Sequence, residues 1–584
     1  MKRLNLLLLV FGLSTSLAYS QTLVKPDRDG DLQKLALLSE VKTLAIEIPK
    51  LDGPLARALA KAEIADAAWT LDREWAKRML KEAYQFTYPT DEEQSKFQPE
   101  PTGAASKPPT IIGTARMNVR RRILSVARRD RVFADQLILD SSPHVTKDDR
   151  QMMYAQLASF ALDEGNYEMA GRAIEQSMGV DPTQITFVTL VNDLAIKDRA
   201  AADKLILHCM ASLSAVQLSG RRLSTPRALL TVMWLVFPNS IFPDPNKRIP
   251  DPGPAVMKTY VSYTIESLGA LEQVEPGSLK RARGILLSAW LPLNAYAPDL
   301  KEAFMQLEAL SRTPGKDASL PTQSNADKDK ETFRKRDSEA LNSNEPNDLS
   351  IRSLISREEF DTARKLIGKL PDGPRKTEFI EQVNTKEAIS LGKKGDLLGA
   401  GTLAERLSRT GSMLEVYPLI VQGYAANKDQ IGASAAVHQA VRQLKNADTK
   451  PASMPYSSGT TGIPASFAGS FSTIDPVLSS LGKLAKAVVA VDSLLAAEVV
   501  DEMVERANGS QMDTKLGGSG IDNEVFTQLA AKDEVRARTA AENLKDRLRR
   551  IVALAGIYQW KAKELETANQ EKTIRTHGSL RDKP

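Results

Sequence analysis

The chain has 584 residues, enough for roughly three or four compact domains or for one extended repeat array. Aromatic residues make up only 5% of it and Ala and Leu carry much of the 42% apolar content, which suits closely packed helix pairs and disfavours a large sheet built on Val, Ile, Tyr and Phe. The formal charge is +5, two of which come from Lys2 and Arg3, so the remainder is nearly neutral for this size and makes no electrostatic case for nucleic acid.

Residues 1–20 read as a secretory signal peptide. Met1-Lys2-Arg3 precedes an apolar run from Leu6 to Leu13, and Ala18-Tyr19-Ser20 sets small residues before Gln21, where a signal peptidase cuts. The run is too short to span a bilayer as a stable helix, no cysteine follows it to carry a lipid anchor, and no later stretch is long enough to be a transmembrane helix. The expected product is soluble, begins near Gln21 and resides in the periplasm or outside the cell. Its one cysteine, Cys209, has no intramolecular partner, so packing must supply the stability.

Helices are expected from Leu32 to Ile48, from Leu55 to about Leu71, and from Asp72 onward. Asp72-Arg-Glu-Trp75-Ala76-Lys-Arg-Met79-Leu80 is the first copy of a unit: an acidic residue or Asn, three variable residues, Ala, two variable residues, then two apolar or small residues. The acidic residue is placed to N-cap the second helix of a pair, the Ala lets the preceding helix approach closely, and the apolar pair fills the space between them. A Pro/Gly/Ser-rich break from Phe97 to Ile112 leads to a second copy at Asp130, which the copy at Asp198 repeats almost residue for residue 68 positions later. Between these lies Asn166. From Leu213 to Leu310 the signature fades: Ala228 to Phe237 reads as a buried helix, the six prolines from Pro238 to Pro254 predict a stretch no helix crosses, and helices follow near Met257 to Leu271, Ser278 to Leu291 and Pro298 to Leu310.

Residues 312–350 are polar and short of core residues, and read as a linker. The unit resumes at Glu359, Asp396 and Asp429, a period of 37 and then 33 residues. A Ser/Gly/Pro-rich loop occupies 449–475, further copies start at Asp492 and Asp533, and the tail from 570 is polar. The organisation expected is therefore a signal peptide (1–20), a helical-repeat domain (21–311), a linker (312–350), a second helical-repeat domain (351–448), a loop (449–475), a C-terminal helical region (476–569) and a disordered tail (570–584).

The copy between residues 152 and 182 resembles a tetratricopeptide repeat. Tyr154, Leu157, Ala158, Ala161, Gly165, Tyr167, Ala170, Ile174, Ser177 and Pro182 stand at that family's spacings: one face of a first helix, a glycine turn, a second helix against it, and a proline stop. The other copies share the period more than the signature. The resemblance implies an all-α fold of helical hairpins, an irregular α-solenoid in two arrays with long loops, and binding of protein or peptide partners on a concave face.

Few residues suggest chemistry. Tyr456-Ser-Ser-Gly-Thr-Thr-Gly-Ile-Pro464 is similar to the phosphate-binding loop of adenylate-forming enzymes, but Ala465 stands where that family has lysine and helix-repeat sequence lies on both sides. His208 and Cys209 are adjacent, so a helix cannot present both to one metal, and His144, His438 and His577 are isolated. Glu266-Ser267 matches the catalytic pair of lytic transglycosylases without the rest of that signature. Arg116, Arg120, Arg121, Arg122, Arg128, Arg129 and Arg131 are spread around a helix; they read as a solvated face, with Arg120, Arg121, Arg122, Arg128 and Arg129 available to an anionic envelope surface. No catalytic, cofactor or metal residues are assigned. The function expected is an exported, non-catalytic scaffold or adaptor of a bacterial envelope; the alternative is an enzyme whose site lies on the loops at 238–254 or 449–475.

Overall fold

The computed structural model describes residues 28–90, 111–178, 185–218, 225–241, 248–312, 348–446, 475–510 and 514–578. The signal-peptide stretch, the adenylate-like loop and most of the 312–350 linker lie outside them. Among the described residues every regular element is helical. The first run is α1 (Arg28–Ala45), α2 (Pro54–Ala68), α3 (Arg73–Gln85), α4 (Ile111–Ala127), α5 (Arg131–Asp140), α6 (Lys147–Asp163), α7 (Tyr167–Met178), α8 (Ile185–Lys197), α9 (Arg199–Leu218), α10 (Thr225–Val236), α11 (Pro254–Val274), α12 (Ser278–Ser288), α13 (Trp290–Tyr296) and α14 (Lys301–Ser311). The second is α15 (Asp348–Ser356), α16 (Phe360–Gly368), α17 (Pro374–Lys394), α18 (Leu397–Ala404), α19 (Thr410–Ala426), α20 (Gln430–Asn446), α21 (Pro476–Val489), α22 (Ser493–Gly509), α23 (Asn523–Ala530), α24 (Glu534–Glu542) and α25 (Arg547–Gly578).

The recurring unit marks the start of the second helix in nine hairpins. The side chains of Asp72, Asp130, Asn166, Asp198, Asp396, Asp429, Asp492 and Asp533 each accept a hydrogen bond of 2.8 to 3.2 Å from an otherwise unpaired amide in the first turn. Glu359 makes no such bond, its side chain being one methylene longer. Four residues on, Ala76, Ala134, Ala170, Ala202, Ala363, Ala400, Ala433, Ala496 and Ala537 each donate a backbone bond to the cap carbonyl and are buried. The alanine is small because the preceding helix packs directly on it. Replacing Ala134 or Ala202 with Leu is expected to destabilise the protein by about 1 to 3 kcal/mol through overpacking, read as a lowered denaturation midpoint.

Two kinds of turn join the helices in eight of these nine pairs; the amide of Asp130 bonds instead to the Ala127 carbonyl three residues earlier. Before Asn166, Glu359, Asp396 and Asp429 the chain passes through a left-handed residue, Gly165, Glu358, Gly395 and Lys428, and the next amide bonds back to the carbonyl five residues earlier, which satisfies the end of the first helix. Before Asp72, Asp198, Asp492 and Asp533 the helix instead ends on an ordinary bond from the cap amide to the carbonyl four residues earlier.

Among the described residues no helix crosses the proline-rich stretch, as its prolines predict, although both of its end prolines start helices. Pro238 opens one helical turn, Pro238–Ile241, and Pro254 opens α11, because a missing N–H and a fixed φ are tolerated at a first helical position. The helix predicted over Ser278 to Leu291 ends at Ser288, and Trp290–Tyr296 forms a separate short helix.

Within each run successive hairpins stack in chain order, first helix on first helix: α15, α17, α19, α21 and α23 in the second run, and α2, α4, α6 and α8 in the first. The runs also meet. α25 packs on α23 as the next first helix would, and then directly on α1 and α2. α1 takes the place of its second helix, lying between α24, where Arg538 pairs with Glu40 at 3.3 Å, and α3, where Lys42 pairs with Asp72 at 3.4 Å and sits over the Trp75 ring. One hairpin is thus assembled from helices near opposite ends of the chain. Packing order runs from α15 through α25 and α1 to α14, a circular permutation of chain order.

Cys209 lies buried in the core of this array, and burial pushes its thiol up to about 12. A thiol kept protonated and covered is a poor nucleophile. The native protein is expected to resist a maleimide that labels it fully in denaturant; rapid labelling of the native protein would contradict the packing of α9.

Candidate interaction surfaces

Most of the arginines on and just after α4 are internal ties, which corrects the expectation of a solvated face available to an anionic surface. Arg120 is only 3% exposed: it donates to the Thr87 hydroxyl and carbonyl, each at 3.0 Å, and pairs with Asp149 at 3.4 Å. Arg122 grips both Glu63 oxygens at 2.6 Å and Asp66 at 2.6 Å, and Arg129 also binds Asp66. Arg128 lies over the Phe160 ring and pairs with Glu164 at 3.2 Å. Arg121 is exposed, and Arg129 is exposed too, though its guanidinium is held by Asp66. Carboxylates on α2 and α6 draw the others inward, so they cannot form a stripe for an anionic surface.

The Glu63, Asp66 and Arg122 cluster sits at the junction of the two runs. Asn523, which opens α23, donates to Glu63 at 2.6 Å across that junction. Burial raises the Glu63 pKa, and Arg122 offsets only part of that, so it stays above the ordinary glutamate range. Burial acts on Asp66 in the same direction, but two guanidinium groups outweigh it and hold Asp66 below its ordinary value. The backbones approach closely here. A Cβ on Gly53, whose φ is +86°, would come within 2.6 Å of the Lys515 carbonyl, and one on Gly517, at φ +73°, within 2.8 Å of the Leu55 carbonyl. Arg547 donates to the Lys50 carbonyl at 2.8 Å and pairs with Glu47 at 3.4 Å. The sequence does hold a signal for this junction. α2 is apolar around nearly its whole circumference, with Ala, Leu and Ile on every side and Glu63 and Asp66 buried among them, and such a helix must be covered all round.

Next to the junction a small pocket opens between α3 and α5. Tyr88 stacks on His144 with 4.4 Å between ring centroids, Lys81 pairs with Asp140 at 3.3 Å, and burial pushes the Tyr84 hydroxyl up to about 12. These groups are engaged with one another and poise no nucleophile. The remaining sequence candidates are dispersed: His208 is half exposed beside Glu175 while Cys209 points into the core, His438 faces Glu498, and Glu266 is exposed while Ser267 is buried. Among the described residues no cluster of three or more His, Cys, Asp or Glu has the placement to hold a metal ion, and no helix is long and apolar enough to cross a membrane.

A different feature recurs at the repeat register. Two residues after the cap, Val132, Leu398, Ile431, Leu494 and Val535 are 78%, 76%, 85%, 53% and 75% exposed. Four of these belong to successive second helices, α18, α20, α22 and α24. α20 reaches back to Glu405 at the end of α18 through Gln439 and Gln443, and α22 packs on both α20 and α24. Equivalent positions of stacked hairpins line up along one edge, so this edge carries a row of solvent-facing aliphatic side chains.

No family model matches the chain, and no curated protein matches it. Among solved structures it is similar to a chain described as a circular tandem repeat protein with novel repeat topology and enhanced subunit contact surfaces, at 12% identity and a TM-score of 0.14, covering 92% of this chain and 99% of that one.

Proposed function

We propose that the protein is an exported, non-catalytic scaffold or adaptor of a bacterial cell envelope that binds protein or peptide partners along its stacked hairpins. The observation that carries this reading is the row Leu398, Ile431, Leu494 and Val535. Large aliphatic side chains held in water at the same position of successive repeats stabilise nothing in the chain itself, and they present a regular apolar surface to a partner. Charged motifs that otherwise suggest a reactive site, the aspartates of the unit and most of the arginines on and just after α4, are engaged as caps and internal ties. Export is supported by the pattern of Lys2, Arg3, the Leu6 to Leu13 run and Ala18 to Ser20. Neither cofactor nor nucleic acid belongs to this reading.

The test places a photo-crosslinking residue at position 398, 431 or 535 of the mature protein, in envelope extract, with position 376 on α17 as control. Crosslinks to the same protein from the three row positions, lost in a Leu494→Asp background, are expected. Equal yields from the control position, or no change with Leu494→Asp, would remove the row as the binding edge. Amino-terminal sequencing of protein recovered from the envelope fraction tests export, with Gln21 the expected first residue.

A further inference from the structure

We propose that the junction of α25 with α1 and α2 is a heterologous docking surface that accepts the C-terminal half of the chain in trans, so that a second copy of this chain can supply α25. Everything that holds the two halves together in the described residues is of the kind that holds two subunits together. α25 has two apolar faces: Ala553 and Ile557 belong to the core of the second run, whereas Leu548, Ile551, Val552, Tyr558 and Ala562 belong to the core of the first. Around this apolar centre lies a directional polar rim. Arg547 bonds to the Lys50 carbonyl and Glu47, and Arg538 to Glu40, while inside the rim Asn523 bonds to the buried Glu63. A buried apolar centre, a polar rim and close backbone approach at Gly53 and Gly517 are the anatomy of a specific interface.

Among the described residues the backbone does not pass from one half to the other at this junction. Covalent continuity between the halves runs through residues 313–347, which leave from the far end of the first run after α14 and enter the far end of the second at α15. A covalent link between two halves raises their effective concentration for one another and leaves the strength of the contact to the surfaces that meet. The surfaces joined are unlike one another, α25 on one side and α1 with α2 on the other. Such an interface pairs the C-terminal half of any copy with the N-terminal half of any other.

The experiment uses the full folded chain with a specific protease site inserted between residues 313 and 347. After cleavage the halves are expected to co-elute as a one-to-one pair. Two cleaved preparations, one carrying a mass-tagged N-terminal half, are then mixed, carried through mild denaturant and refolded together, and native mass spectrometry is expected to show tagged and untagged halves re-paired at random. Location is tested by charge reversal. In competition within one mixture, the Arg538→Glu C-terminal half is expected to pair with the Glu40→Arg N-terminal half in preference to the wild-type one by about two- to fivefold, the size of an exposed ion pair. Halves that separate on cleavage, hybrids absent after co-refolding, or no preference in the charge-reversed competition would each overturn the proposal.

Discussion

A chain that ends at Asp546 is expected not to fold, whereas one that ends at Leu565 is expected to melt as the full chain does. The difference lies in what α25 covers. Between Arg547 and Leu565 it buries Leu548, Ile551, Val552, Ile557 and Tyr558 against both cores. Each large apolar side chain taken out of water contributes roughly 1.5 to 3 kcal/mol. The set is therefore worth about 10 kcal/mol, the size of the whole stability of an ordinary domain. Removing α25 also uncovers α2, whose apolar circumference has no other partner on that side, and leaves Gly556 absent from its close packing on the Asn523 carbonyl, where a Cβ would approach to 2.3 Å. Beyond Leu565, by contrast, the helix surface up to Glu571 is exposed or only partly buried. Circular dichroism and thermal melting of the two truncations check this; a truncation at Asp546 that melted like the full chain would show that α25 does not complete the array.

Arg122→Ala is expected to lower stability by about 3 to 5 kcal/mol, because it strands two buried carboxylates with one partly exposed guanidinium between them. The two carboxylates respond oppositely to acid. Asp66, held below its ordinary pKa, contributes stability that is present above the unfolded-state value and lost as pH falls through the folded one. Glu63, held above its ordinary pKa, binds a proton more readily in the folded state, so its contribution rises as pH falls from its folded value towards the unfolded one. Glu63→Gln is therefore expected to cost less at neutral pH than Asp66→Asn, and only Asp66→Asn is expected to flatten the acid limb of the stability profile. Denaturant titrations of the three variants between pH 3 and pH 8 decide this, and equal losses for Glu63→Gln and Asp66→Asn would refute the assignment.

The repeat was legible because its signals are local. An aspartate cap and its alanine lie four residues apart, and both act within one hairpin, so Asp72 with Ala76 and Asp198 with Ala202 declare their roles in the sequence. The solvated-face reading of the arginines on α4 failed for the opposite reason. Whether Arg122 faces water or Glu63 depends on a helix 59 residues earlier, and arginine spacing on α4 carries no trace of it. The junction of the two runs is harder still. α1 and α25 lack the recurring unit, and Arg538 and Glu40 are 498 residues apart. The exposed row was hidden by its chemistry, since Leu398 or Val535 near a helix start looks like one more core residue until its neighbours are placed.

The claim on which the account turns is that α25 and α1 form one hairpin and so make the two runs a single array. Spin labels on Glu40→Cys and Arg538→Cys, read by pulsed dipolar spectroscopy on the full chain with Cys209 left buried, measure it directly. The account predicts one narrow distribution at the short limit of the method. A broad distribution at long distance, in protein of undiminished helix content, would contradict it.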